Sequence, residues 1–418
     1  VTVTAAQAKS NLQLVLILLI PIVAVMIFPF SARDGDGALY AAIGTEAVQR
    51  GFAELFRLGW YGNCKIYQPG SLYYDFFLEH PPGLFVLPWL LHHAGAPANK
   101  ALYIADLIYQ LVAWCAAYLL VRRFASRFVS QWTMIAMVVM PISFLYSVRS
   151  TQETPLLMSM LLLLVCIAHR SRYPVWMGIG VMAVSSFAVA LKGAMAIPPV
   201  FVAVGSRFFL QSGNENWPNR LVDMVRLAVL CLVGGFAAVA VIELGHREFA
   251  GNPSFWEPYW RLQITERAMS SQLVPKVGWH KLLQVPTYLL HIAWYSCPFV
   301  VTALYSYYKF IKANDKPGSS SLWHQDLAEI TPLVALCLSA SMFYVLGMSA
   351  FDRTSQRYIF PVYYLIGMVA FFVSYSRWPG LFHKITTLAG MRPLFLAAWL
   401  WASSRVLAVL SNAYLTGH

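Results

Sequence analysis

Long apolar runs separated by short polar stretches set the pattern of this chain. The first runs from Leu12 to Phe30, with Lys9 before it, and a mixed stretch over residues 31–99 follows. Further runs cover Lys100–Val121, Val129–Ser147, Pro155–Ala168, Val175–Leu191, Ala194–Leu210, Leu221–Glu243, Pro286–Tyr308, Ala328–Ala350, Tyr358–Ser374 and Pro393–Leu410. At roughly 20 apolar residues per crossing, the pattern predicts about eleven transmembrane helices. Residues Asn11–Phe30 are too long for a signal-peptide core and carry no small-residue cleavage site, so they read as a retained span.

One short run decides the topology. Gly83–Leu91 is apolar but ends at His92-His93, too soon to cross, and reads as a helix lying at the interface. Pro81-Pro82 before it block helix and fix an extended approach. With no crossing there, Arg122/Arg123/Arg127, Arg170/Arg172, Arg220/Arg226, Lys309/Lys312/Lys316 and Arg377/Lys384/Arg392 all face the cytoplasm, as the positive-inside rule asks. Asp34, Asp36, Glu79, Glu153, Glu257 and Glu266 then face outward. The outer loop 31–99 is expected to hold two short helices, Leu39–Arg50 and Gly83–Leu91. The outer loop 245–285 is aromatic and basic (Phe255, Trp256, Tyr259, Trp260, Arg261), a pattern that suits the headgroup layer as well as a substrate lid. A division follows into a module over 1–245 and a second over 246–418. No internal repeat is visible.

Composition agrees with the pattern. Of 418 residues, 59% are hydrophobic and 11% charged, far from the roughly 25% charge of soluble domains. The net charge of +12 is dispersed between apolar runs, which favours anionic headgroups and phosphate-bearing substrates over nucleic acid. Six scattered cysteines show no metal-ligand spacing and read as small buried side chains.

The outer face collects the candidate chemistry. Asp34-Gly35-Asp36 places two carboxylates just beyond the first span, where charge is costly unless water, a cation or a reaction needs it. Glu153 lies in the short outer loop, and Lys192, Arg149, Arg353, Arg357 and His80 are cations or near-cations on the same side. Moving a sugar from a lipid phosphate needs such a set: a carboxylate to take the acceptor's proton, cations to hold the departing phosphate, and an apolar groove for the tail. Each residue also has an ordinary role. Asp34, Asp36 and Glu153 suit helix caps, Lys192 suits snorkelling, Arg353 and Arg357 suit an exposed turn, and His80 has no evident partner. A divalent cation at Asp34/Asp36 is a further option, though lysine and arginine can neutralise a monophosphate without an obligatory metal.

Four short motifs in order resemble the GT-C glycosyltransferases that use polyprenyl-phosphate sugars, in the branch of the protein O-mannosyltransferases and the lipid A aminoarabinose transferase. Asp36-Gly37-Ala38-Leu39-Tyr40 is similar to that branch's acid followed by a Tyr-containing helix, and Glu79-His80-Pro81-Pro82 to its Glu-Lys-Pro-Pro. Arg149 through Glu153-Thr154-Pro155 and Ala190-Leu191-Lys192-Gly193 stand where it has an Arg-then-acid and a Leu-Thr-Lys-Gly. Arg357-Tyr358-Ile359-Phe360-Pro361 matches its later basic-Tyr-x-x-Pro, so Tyr358 joins the candidates. His80 departs from the family's lysine, which would pass phosphate binding to Lys192 or an arginine.

The resemblance implies an inverting glycosyltransferase of the bacterial inner membrane, its site facing the periplasm. A polyprenyl-phosphate sugar would be the donor, and a lipid, glycan or protein the acceptor. Asp36 would be the base, Asp34 its modulator and Glu153 an orienting carboxylate; Lys192, Arg149, Arg357 and His80 would stabilise the phosphate. No counterpart of the large C-terminal external domain of some members is visible, which leaves acceptor choice to the loops 31–99 and 245–285 or to a partner. A transporter or flippase for a lipid-linked or anionic substrate is the alternative class, for which repeat symmetry and mid-membrane ionisable residues would be the signs.

Overall fold

A computed structural model describes Leu19 and residues 35–59, 76–146, 151–210, 216–251, 254–261, 284–297, 299–313, 321–349 and 356–385. They form helices and no strand. The segment after the first apolar run carries α1 (Gly35–Arg50), a 3₁₀ turn (Phe52–Leu55) and α2 (Gly83–His93). Both expected short helices are therefore present, the first beginning four residues earlier than Leu39. Next come α3 (Ala98–Arg122), α4 (Arg127–Val139), α5 (Pro141–Tyr146), α6 (Glu153–His169), α7 (Pro174–Lys192), α8 (Ile197–Gly205) with a 3₁₀ turn at Ser206–Phe208, and α9 (Trp217–Ala250). The rest are α10 (Trp256–Trp260), α11 (Gln284–Tyr295), α12 (Phe299–Ala313), α13 (Ser321–Ser349), α14 (Phe360–Arg377) and α15 (Pro379–Ile385).

Five helical stretches among these residues are long and apolar enough to cross a membrane, or six if the bent pair α11–α12 counts as one span. The expected spans Leu12–Phe30 and Pro393–Leu410 lie outside the described residues. The chain is an all-α polytopic membrane protein, but three of the expected straight spans differ. Val129–Ser147 is broken, because Met140 turns extended (φ −64°, ψ 140°) before Pro141, as a residue preceding proline tends to do. Pro286–Tyr308 is two helices bent by 101° at the break between Tyr295 and Phe299. Leu221–Glu243 is instead the 34-residue α9, which continues to Ala250 and ends at Gly251 in the left-handed conformation (φ 62°). At 1.5 Å per residue α9 is about 51 Å long, against a hydrocarbon core of about 30 Å. The helix is therefore longer than one crossing needs, and in its last turns His246 Nδ1 donates to the Phe56 carbonyl at 2.7 Å.

The apolar run from Pro174 to Phe208 spans 35 residues and does not continue straight. Gly193 breaks it with φ +55°, and the chain doubles back. Arg207 Nε reaches Asp223 near the start of α9 at 2.8 Å, and Arg170, at the far end of α6, reaches the same carboxylate at 2.7 Å. Both ion pairs require α8 to return toward the end where α7 began. The main core lies where α3, α4, α6 and α14 pack, around Trp114, Met137, Leu161, Tyr363 and Phe371. Elsewhere the apolar faces look outward: Leu232, Phe236 and Leu244 on α9 and Leu290 and Leu304 on α11 and α12 are exposed, as lipid-facing side chains are.

Candidate active site

Glu153 opens α6 and Lys192 closes α7. The two helices are antiparallel neighbours, so residues 39 positions apart meet at one end of the bundle, Lys192 Nζ donating to Glu153 Oε1 at 2.7 Å. The side chains are 6% and 4% exposed, which makes this a desolvated pair and not a snorkelling lysine beside a capping acid. Gln152 holds the cap position of α6 and makes no side-chain cap bond. Arg357, in the 3₁₀ turn Gln356–Ile359, is half-buried over the ring of Tyr358 at 5.9 Å and adds a second positive charge acting on Glu153. The Thr151 hydroxyl stands beside the same carboxylate.

The segment that carries α1 and α2 folds onto the end of α7 that holds this pair. A Cβ on Gly83 would run into the Ala190 carbonyl and the Leu191 amide, so Glu79-His80-Pro81-Pro82-Gly83 sits against the last turn of α7, directly before Lys192. Tyr40 belongs to a buried cluster with Ile43, Phe77, Phe85 and Leu191, and the His80 ring meets it edge-on at 5.7 Å. Glu79 is buried in the same segment. Asp36 is the second residue of α1, one helical turn before Tyr40. Asp34, Arg149 and Arg353 lie outside the described residues. Among the described residues no group of three or more His, Cys, Asp or Glu side chains is placed to hold a metal ion.

Residues 254–261 behave as a clasp and not as a loose interfacial loop. Glu243 of α9 accepts from the Phe255 amide at 3.0 Å and from the Ser254 hydroxyl at 3.3 Å, while Trp256 Nε1 donates to the Val239 carbonyl at 2.9 Å. Tyr259, thus fixed, lays its ring against Gly193, donates its hydroxyl to the Lys192 carbonyl at 3.1 Å and accepts from the Ala194 amide at 3.1 Å. The turn that carries Lys192 is held from both flanks, by Gly83 and by Tyr259.

Sequence reasoning passed over Asp106. It is an acid within the apolar helix α3, 3% exposed, and Tyr109 and Gln110 stand on the same face at i+3 and i+4. The Thr154 hydroxyl faces its carboxyl, yet neither Asp106 oxygen reaches hydrogen-bond geometry with a partner. Gln110 Nε2 donates to the Ser143 carbonyl at 2.8 Å, and the Ser143 and Tyr364 hydroxyls lie 3.0 Å apart. Buried polar atoms without a geometric partner therefore concentrate around the start of α6: both Asp106 oxygens, the Tyr109 hydroxyl, Thr151 Oγ1, Gln152 Nε2, Glu153 Oε2 and Thr154 Oγ1. Such a concentration is unusual in a folded interior and marks a place where polar ligand atoms or water would be welcome. The available signal was Asp106 itself, the one acid in that apolar run.

No family model and no characterised protein matches the chain by sequence. Solved structures match it by shape. One is ArnT from Cupriavidus metallidurans bound to undecaprenyl phosphate, with a TM-score of 0.61 at 15% identity over 92% of this chain. The same protein in the apo state gives 0.58 at 15% identity over 88% of this chain and 60% of its own. The Archaeoglobus fulgidus oligosaccharyltransferase in complex with Zn and sulfate gives 0.51 at 15% identity, covering 94% of this chain and 53% of that one. The chain spans 64% of the length of the lipid-bound ArnT. At this identity the likeness is one of fold: the chain shares the helical membrane fold of these structures.

Proposed function

We propose that the chain is an inverting glycosyltransferase that moves a sugar from a polyprenyl-phosphate donor to an acceptor hydroxyl. Its site would face the periplasm of a bacterial inner membrane, and the acceptor would be a lipid, a glycan or a protein. The observation that carries this reading is the buried Glu153–Lys192 pair, set beside the Tyr40–His80 contact and under the charge of Arg357, with buried polar atoms around it that lack hydrogen-bond geometry. Fold likeness to a protein solved with undecaprenyl phosphate supports the donor class.

In this mechanism Asp36 takes the proton of the acceptor hydroxyl as its oxygen attacks the anomeric carbon. The bond from that carbon to the phosphate oxygen breaks on the opposite side, and its electron pair leaves with the polyprenyl phosphate. Negative charge then grows on the phosphate. Lys192 uses one of its three N–H donors on Glu153, and the others are suited to that oxygen; Arg357, Arg149 and His80 complete the cationic wall. Asp34 tunes Asp36, and Glu153 fixes Lys192 and accepts from sugar hydroxyls.

The test is to incubate the purified chain with a polyprenyl-phosphate sugar and an envelope lipid extract and to follow release of the lipid phosphate. Asp36→Asn is expected to lower turnover about 100-fold or more while donor binding persists. Normal turnover by that variant removes the assigned base, and failure of the unaltered chain to release any lipid phosphate removes the reaction.

A further inference from the structure

The end of the bundle away from Lys192 holds a second polar site. From Glu153 to His169 or from Lys192 back to Pro174, α6 and α7 run about 25 Å to reach it. There a cavity of about 380 Å³ opens, lined by Arg123, Arg170, Arg207 and Arg226 together with Asp223, Ser171, Asn219 and apolar side chains. The arginines come from four places in the chain: just after α3, just after α6, the 3₁₀ turn after α8, and the first turns of α9. Four arginines and one carboxylate line it, a net charge of +3 around one cavity.

Asp223 is already occupied. Its Oδ1 takes Arg170 at 2.7 Å and its Oδ2 takes Arg207 at 2.8 Å, which orients two guanidiniums across the cavity wall. Arg123 and Arg226 have no carboxylate partner among the described residues, and both are exposed toward solvent. Bringing like charges together in a half-sheltered space is unfavourable without a counter-charge. The positive end of the α9 dipole adds to the same field. Arginines converging from several directions, each a fork of donors, match an anion with several oxygens better than a single planar carboxylate. The depth is also informative: Tyr173, Trp176 and Trp217 are exposed close to the cavity, with Trp176 71% accessible, as in the aromatic belt at headgroup level.

We infer that this cavity is a binding site for a phosphate group, distinct from the Glu153–Lys192 end. The phosphate is either the diester of an anionic lipid headgroup or a soluble phosphate. The site takes no part in the transfer step proposed above, and its test needs no turnover.

The full-length chain is purified in a zwitterionic detergent and titrated with phosphatidylglycerol, with phosphatidylcholine as the neutral control, and bound lipid is counted by native mass spectrometry. In a parallel arm, inorganic phosphate is titrated against chloride at matched ionic strength and the thermal unfolding temperature is followed. The discriminating variant is R123Q/R226Q, which spares the Asp223 clamp; R122Q/R172Q removes the same charge from exposed positions outside the cavity. The site requires that one probe binds the unaltered chain, that R123Q/R226Q weakens it roughly tenfold or more, and that R122Q/R172Q does not. A response to phosphatidylglycerol alone assigns the headgroup, and a response to inorganic phosphate assigns the soluble ion. If neither probe distinguishes the unaltered chain from R123Q/R226Q, or if R122Q/R172Q loses as much, the proposal is wrong.

Discussion

Replacing Lys192 by Met tests the central ion pair most directly. The substitution keeps the length and apolar stem of the side chain and removes only the ammonium, leaving a 4%-exposed carboxylate beside it. At 2.7 Å and an effective dielectric of about 20, the lost attraction is about 6 kcal/mol before relaxation. Partial compensation by Arg357 and local rearrangement bring the expected net loss to about 3–5 kcal/mol, the usual cost of stranding one member of a buried pair. Removing both charges, as K192M/E153Q, leaves a neutral amide beside an apolar thioether with no stranded charge, and should return the chain to within about 1–2 kcal/mol of the starting stability. The assay is thermal unfolding of the purified protein in detergent, run on the two single variants and the double variant, with lipid-phosphate release measured alongside. Recovery of stability without recovery of turnover is the expected pattern, since the double variant has lost the cation that the proposed reaction assigns to the departing phosphate. If K192M alone were as stable as the double variant, the argument from a stranded carboxylate would fail. If the double variant regained full turnover, the pair would be structural only.

Gly83→Ala should destabilise the chain by about 1–3 kcal/mol and lower turnover, because the new methyl meets the Ala190–Leu191 backbone, while Gly347→Ala, which meets nothing, should be near neutral in the same unfolding assay. Tyr259→Phe removes a hydroxyl that bridges the Lys192 carbonyl and the Ala194 amide, and should cost about 1–3 kcal/mol in unfolding measurements. Asp106→Leu should leave stability unchanged or raise it, since it removes a buried acid without a geometric partner, yet lower turnover; a large loss of stability would show that Asp106 is a structural residue.

The sequence made the helical architecture readable because membrane spans announce themselves by length and apolarity. It also located the ends of helices that carry chemistry: Glu153 and Lys192 each stood at a boundary between an apolar run and a short polar stretch. What it did not reveal is that they are each other's partner, since pairing depends on how α6 and α7 pack. The breaks at Met140-Pro141 and around Ser296-Cys297 were present as prolines in apolar runs, but hydropathy averages over such interruptions. The clasp at Trp256–Trp260 was ambiguous for another reason. Tyr and Trp beside cations suit a membrane surface and a packed segment equally, and only Glu243 and Gly193 decide between them. Asp106 was overlooked because one acid hardly changes the mean of an apolar window.

Glu153–Lys192 bolts α6 to α7 at one end, and at the other end Arg170 ties α6 through Asp223 to α9. Sliding either helix by one turn would break an electrostatic bolt, so this pair is a fixed strut. Under the proposed reaction, the movement that would admit a lipid tail must therefore be sought in the elements leaning on the strut.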